Sequence, residues 1–170
     1  MKKRNLLGVV LALVALLTLV LPASASKSIL VSGKMAWAGP PTNIVGEQIG
    51  AYCFMSCDIL YQFYDGNLEG FAETHWWVLF HGPCPAYANQ YKETLNARGT
   101  FTGTVDGKEG TLDLLITMRG WPAVPGELAN VGKVTILSGT GELDGSHGVL
   151  DVTYYMGNPD TYTGKVHFSH

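Results

Sequence analysis

The sequence predicts an all-β fold: an eight-stranded (eight to nine) antiparallel β-barrel, with a two-sheet β-sandwich as the alternative. Three observations point there. Apolar residues recur with a period of two, and no window of about a dozen residues carries a helical stripe. Two Asp-Gly pairs, Asp65-Gly66 and Asp106-Gly107, stand between alternating runs, as tight hairpins require. Gly70, Gly103, Gly110 and Gly164 fall on the apolar faces of their strands, where a curving sheet needs small residues.

In chain order, residues 29–37 and 43–50 read as the first two strands. Residues 58–80 turn on Asp65-Gly66, with Tyr64 set opposite Asn67. One face then collects Ile59, Tyr61, Phe63, Leu68, Ala72, Trp76, Val78 and Phe80. The other carries Asp58, Gln62, Glu69, Glu73 and His75, with Phe71, Trp77 and Leu79 as apolar exceptions. Residues 99–117 turn on Asp106-Gly107. Pairing Val105 with Lys108 sets Phe101 against Leu112 and Gly103 against Gly110, and it sorts the threonines onto the opposite face. A slip of one residue would mix the two faces, so this hairpin specifies its own register. Residues 119–130, with Trp121-Pro122 and Val124-Pro125-Gly126, read as a long loop, a candidate rim or lid. Strands at 131–138, 149–155 and 161–168 close the chain, the last two joined by Gly157-Asn158-Pro159-Asp160.

Upstream of all this, Lys2, Lys3 and Arg4 precede an uncharged apolar run over residues 6–21, then Pro22 and Ala23-Ser24-Ala25. That order is a secretory signal peptide over residues 1–25, cleaved after Ala25, leaving a single domain over residues 26–170 that is secreted or extracytoplasmic. The alternative is an uncleaved membrane anchor, because the run falls just short of the roughly 20 apolar residues that span a bilayer. Cleavage removes three basic residues and no acid. The remaining 145 residues carry 8 basic against 14 acidic side chains, a formal charge of −6. The acidic balance argues against a nucleic-acid binder, which would show a basic face, and it disfavours anionic membrane surfaces once the signal is gone.

Export makes cysteine oxidation expected. Cys53 and Cys57 would lie about 13 Å apart in one extended strand, beyond disulfide reach. The first hairpin brings Cys84 back toward their end, so the expected bridge joins Cys84 to Cys53 or Cys57. No C-x-x-C spacing or second His pair supports a metal site, and no cofactor fingerprint is present. No G-x-S-x-G or H-E-x-x-H occurs either. The weak catalytic candidates are Glu142 and His147, an acid-base pair in the Gly-rich connection 139–148, which reads otherwise as a structural turn. Tyr61, Phe63, Trp76, Phe101 and Tyr162 share the inner face. They fill a core or line a cavity for a small apolar molecule, which eight-stranded barrels can hold.

The runs GTFTGTVDGKEGTL at 99–112 and ILSGTGEL at 136–143, with Gly145, Gly148 and Tyr162-Thr163-Gly164, resemble a family known only as a domain of unknown function. Its folds are small barrels similar to allene oxide cyclase and dirigent proteins. Val134 stands where that family often has Trp. The resemblance implies the barrel and brings no catalytic residues with it.

Three functions follow as expectations. The first is an exported barrel that binds a small apolar ligand in its interior or at one mouth, without cofactor or nucleic acid. The second is an isomerase or cyclase using Glu142 and His147. The third is a structural or homo-oligomeric surface protein whose interface is Phe71, Trp77 and Leu79.

Overall fold

The computed structural model describes residues 27–85 and 90–169. The expected signal segment 1–25 and the expected cleavage after Ala25 lie outside the described residues. These residues form nine antiparallel strands and no helix: β1 (Lys27–Trp37), β2 (Thr42–Ile49), β3 (Tyr52–Tyr64), β4 (Leu68–Phe80), β5 (Glu93–Val105), β6 (Lys108–Gly120), β7 (Leu128–Gly141), β8 (Ser146–Tyr155) and β9 (Asp160–Phe168). Strands β3 to β9 are neighbours in order, and β1 pairs with both β9 and β3. Eight strands thereby close a barrel-like ring. Strand β2 stays outside it, paired among the described strands with β3 alone and exposed on both faces.

The second hairpin has the predicted register: Val105 pairs with Lys108, Phe101 with Leu112 and Gly103 with Gly110. Asp106 and Gly107 both take positive φ, as a two-residue turn of that hand demands. The first hairpin departs from expectation. Phe63 pairs with Gly70, two positions beyond the Tyr64–Asn67 register. Asn67 is drawn away by the neighbouring β1: its N–H donates to Ser32 O (3.0 Å) and its Oδ1 accepts from Ser32 N (2.9 Å). Its carbonyl accepts from Asp106 N (2.8 Å). A shift of two preserves parity, so the sorting into inner and outer faces survives.

The expected long loop is also shorter. Strand β6 runs on to Gly120 and β7 begins at Leu128, because Trp121 N donates to Ala129 O (2.9 Å) and extends the ladder past the prolines' neighbours. The Gly-rich connection is a compact turn, with Gly141 and Gly145 at positive φ and Leu143 fully buried beneath it.

The ring has two unlike ends. At one, Lys27 pairs with Phe168, and Leu143, Val105, Leu112 and Phe168 fill the interior. Phe63 packs edge-on to Phe101 (centroids 5.4 Å) and against Tyr162 (5.6 Å) above them. A row of glycines, Gly70–Gly103–Gly110–Gly141, crosses β4 to β7 near this end. Tyr162 is 1% exposed, and its hydroxyl accepts from Leu68 N (2.9 Å) and donates to Leu68 O (3.4 Å), tying β9 to the start of β4. Tyr162→Phe leaves the buried Leu68 N–H without that partner. It should cost about 1–3 kcal/mol in urea denaturation.

Candidate functional site

The other end is open. A cavity of about 260 Å³ sits in its mouth, lined by Ala36 and Trp37 of β1, Tyr61 of β3, Trp76 of β4, Glu93 and Leu95 of β5, Met118 of β6, Asn130 of β7, Tyr154 of β8, and Asn158, Pro159 and Asp160 leading into β9. All eight ring strands contribute. Most of these residues continue the inward period of their strands: Glu93 and Leu95 extend the Ala97–Phe101 phase, Asn130 the Val134–Ile136 phase, and Asp160 the Tyr162–Phe168 phase.

The aromatic wall is held in place by its own polar edges. Trp37 Nε1 donates to the Tyr61 hydroxyl (3.0 Å). Trp76 Nε1 donates to Thr74 Oγ1 (2.7 Å), which donates to Ile59 O (2.7 Å). With their N–H groups satisfied, the two indoles bring no unpaired donor to the cavity they line. Tyr61 and Trp76 lie 6.0 Å apart, tilted by 46°. On β5, beside the strand that carries Trp76, Glu93 is 3% exposed, and its Oε1 accepts from Asn130 Nδ2 (2.7 Å).

Loss of hydration pushes the Asp160 carboxyl up to about 7. Burial, reinforced by the charge of Asp160, pushes the Tyr61 hydroxyl up as well, so Tyr61 stays neutral over the physiological range. The native state therefore binds the Asp160 proton more tightly than the unfolded chain does. This penalty is absent below the unfolded carboxylate range and grows as pH rises toward 7. Asp160→Asn should leave stability nearly unchanged at pH 4 and raise it at pH 8. The gain should be about 2 kcal/mol, roughly half of the full effect because the side chain is partly solvated. Thermal melts at both pH values check the sign.

The sequence candidates divide across the ring. Tyr61 and Trp76 line the cavity. Phe63, Phe101 and Tyr162 do not: they pack against one another as core toward the filled end. Glu142 and His147 stand at that filled end, away from the mouth. The Glu142 carboxylate caps Glu109 N (3.0 Å) from an exposed turn, and the exposed His147 stacks on His167 (centroids 5.0 Å). Each answers a different neighbour, so they form no acid-base pair over a cavity. Glu93, Asn130 and Asp160, which sequence reasoning missed, are among the polar groups of the mouth.

Cysteine pairing resolves onto Cys53 and Cys84. Cys57, buried and free, has its thiol pushed up by desolvation and then by the charge of Asp58. The bridge stands at the open end, where Cys53 pairs with Phe80, and Cys84 N donates to Gln48 Oε1 (2.7 Å). Among the described residues no group of His, Cys, Asp and Glu is placed to hold a metal ion, and no helix is long and apolar enough to cross a membrane. On the outer face, Phe71 and Trp77 are exposed and Leu79 is half-buried.

The chain matches no family model and no curated protein. Among solved structures it resembles the crystal structure of a protein of unknown function from the DUF3224 family of Shewanella oneidensis MR-1. The TM-score is 0.63 at 17% identity, over 86% of this chain and 99% of that one. At that identity the likeness concerns the fold.

Proposed function

We propose that this protein is an extracytoplasmic binding protein that takes one small, largely apolar molecule into the open mouth of its strand ring. The observation that supports this reading is the cavity itself. About 260 Å³ lies just under the roughly 300 Å³ at which drug-sized sites begin, which suits a single ring or a short chain. Trp37, Tyr61, Trp76, Leu95 and Met118 supply an apolar wall, while the opposite end of the ring is filled by its own side chains. The Cys53–Cys84 bridge is consistent with an oxidising compartment.

The test uses residues 26–170, a solvatochromic hydrophobic dye and native mass spectrometry. One-to-one dye binding is expected. Leu95→Trp, which fills the cavity from its side wall, should weaken binding at least about tenfold while the far-ultraviolet spectrum is retained. No dye binding by the wild type, or equal binding by Leu95→Trp, overturns the reading.

A further inference from the structure

We propose that the molecule held in the mouth carries a protonated nitrogen: a small primary or substituted ammonium on an aromatic or short aliphatic body. This rests on reading the mouth as a ligand cavity, and it goes further by assigning the charge of the occupant.

Two carboxyl side chains, Glu93 and Asp160, belong to the lining, and no Lys, Arg or His does among the described residues. Placing a carboxylate in an apolar wall is costly unless a cation or donor accompanies it; Glu93 has Asn130 as a donor, and it is Asp160 that bears the cost of desolvation. A neutral apolar occupant would strip the remaining water from Asp160 and worsen that cost. An anionic occupant would add repulsion at low dielectric. A cation offsets both. Between the two acids along the ring stand Trp37 of β1, Tyr61 of β3 and Trp76 of β4, whose indole N–H groups are bonded within the wall, so that an ammonium would meet their π-faces. Asn130 fixes the direction of Glu93 through the 2.7 Å bond to Oε1. The carboxyls of β5 and β9, flanking the aromatic wall on its two sides, make with it a cage for a positively charged head whose apolar body lies against Leu95 and Met118. Asp160 gives the cage a proton linkage: a bound cation favours its ionised form, so binding near neutral pH should expel a proton. The other titratable groups of the wall are Tyr61 from β3, Glu93 from β5 and Tyr154 from β8, and Tyr61 stays neutral.

Three probes of one shape separate the possibilities: 2-phenylethylamine, 2-phenylethanol and 3-phenylpropanoate, titrated calorimetrically into residues 26–170 at pH 7.5. The amine should bind at least about tenfold tighter than the alcohol, and the carboxylate should not bind. Buffers of different ionisation heat should report proton release with the amine alone. Asp160→Asn and, separately, Glu93→Gln should each reduce the amine's advantage about tenfold and leave the alcohol unaffected. Alcohol binding as tight as amine binding, or an amine advantage that survives both substitutions, overturns this inference and leaves the binding reading standing. Dye binding with no binding of the amine also overturns it alone. Absence of both dye and probe binding overturns the two together.

Discussion

Gly103→Ala is expected to destabilise the protein by about 3–5 kcal/mol, near the upper limit for a single substitution. A Cβ at Gly103 would lie 2.2 Å from Glu69 O, 2.8 Å from Gly70 Cα and 2.9 Å from the Phe101 ring, at a φ of +158°. The first two contacts are backbone, so β4 and β5 would have to separate where their ladder is continuous. Gly103 sits in the middle of the four-glycine row, where neighbouring backbones approach closely enough to turn the sheet toward closure. Two controls isolate this effect. At Gly107 there is open space but a φ of +79°, so Gly107→Ala should cost only about 1 kcal/mol. Gly46, on the exposed β2, has its nearest neighbour at 4.0 Å, and Gly46→Ala should be close to neutral. Urea denaturation of all three gives the ranking. A Gly103→Ala variant within 1 kcal/mol of wild type would show that the row is not what closes the ring.

Removing the disulfide should have the next largest effect. Cys53 and Cys84 are separated by 31 positions, and closing a loop of that length constrains the unfolded chain by about 3–4 kcal/mol. Cys53→Ser with Cys84→Ser should therefore lower the free energy of unfolding, read from urea denaturation, by that amount. The loss should fall unevenly. The bridge ties the segment after β4 to the start of β3, beside the mouth. Hydrogen exchange should quicken at residues 52–57 and 78–80 before it does around Gly103 and Leu112. Uniform acceleration over the ring would contradict that placement. Cys57 offers an internal check: the native oxidised protein should show no reactive thiol, because Cys57 is 2% exposed, and the denatured unreduced protein should show one.

Much of the ring was legible in the sequence, for identifiable reasons. Alternation reports which face a residue takes, and the Asp106-Gly107 turn reports register, so the β5–β6 pairing could be written residue by residue. At Asp65-Gly66 the local signal was equally strong, yet the register moved by two because Asn67 answers Ser32, a residue 35 positions away. No local pattern contains that partner. The loop at 119–130 was overestimated because prolines and glycines mark breaks, whereas strand length is decided by what the neighbouring backbone offers.

The site was legible in part. Tyr61, Trp76, Phe63, Phe101 and Tyr162 all have inward phase, but phase does not give height along the ring axis. Height depends on strand stagger, which sorted two of them to the mouth and three to the core. The choice between Cys53 and Cys57 was hidden in the same way, since both face inward and only their height differs. Glu93, Asn130 and Asp160 could have been found by extending the period of two past the apolar residues. A polar side chain in an inward slot near a strand end was the signal.

The pairing of Lys27 with Phe168 at the filled end has a consequence for handling and display. The described chain enters and leaves on the side away from the mouth. A fusion partner, an immobilisation tag or a tether attached before Lys27 or after Phe168 departs from the sealed side and leaves the opening unobstructed. Anything that holds this protein by its ends presents the cavity outward.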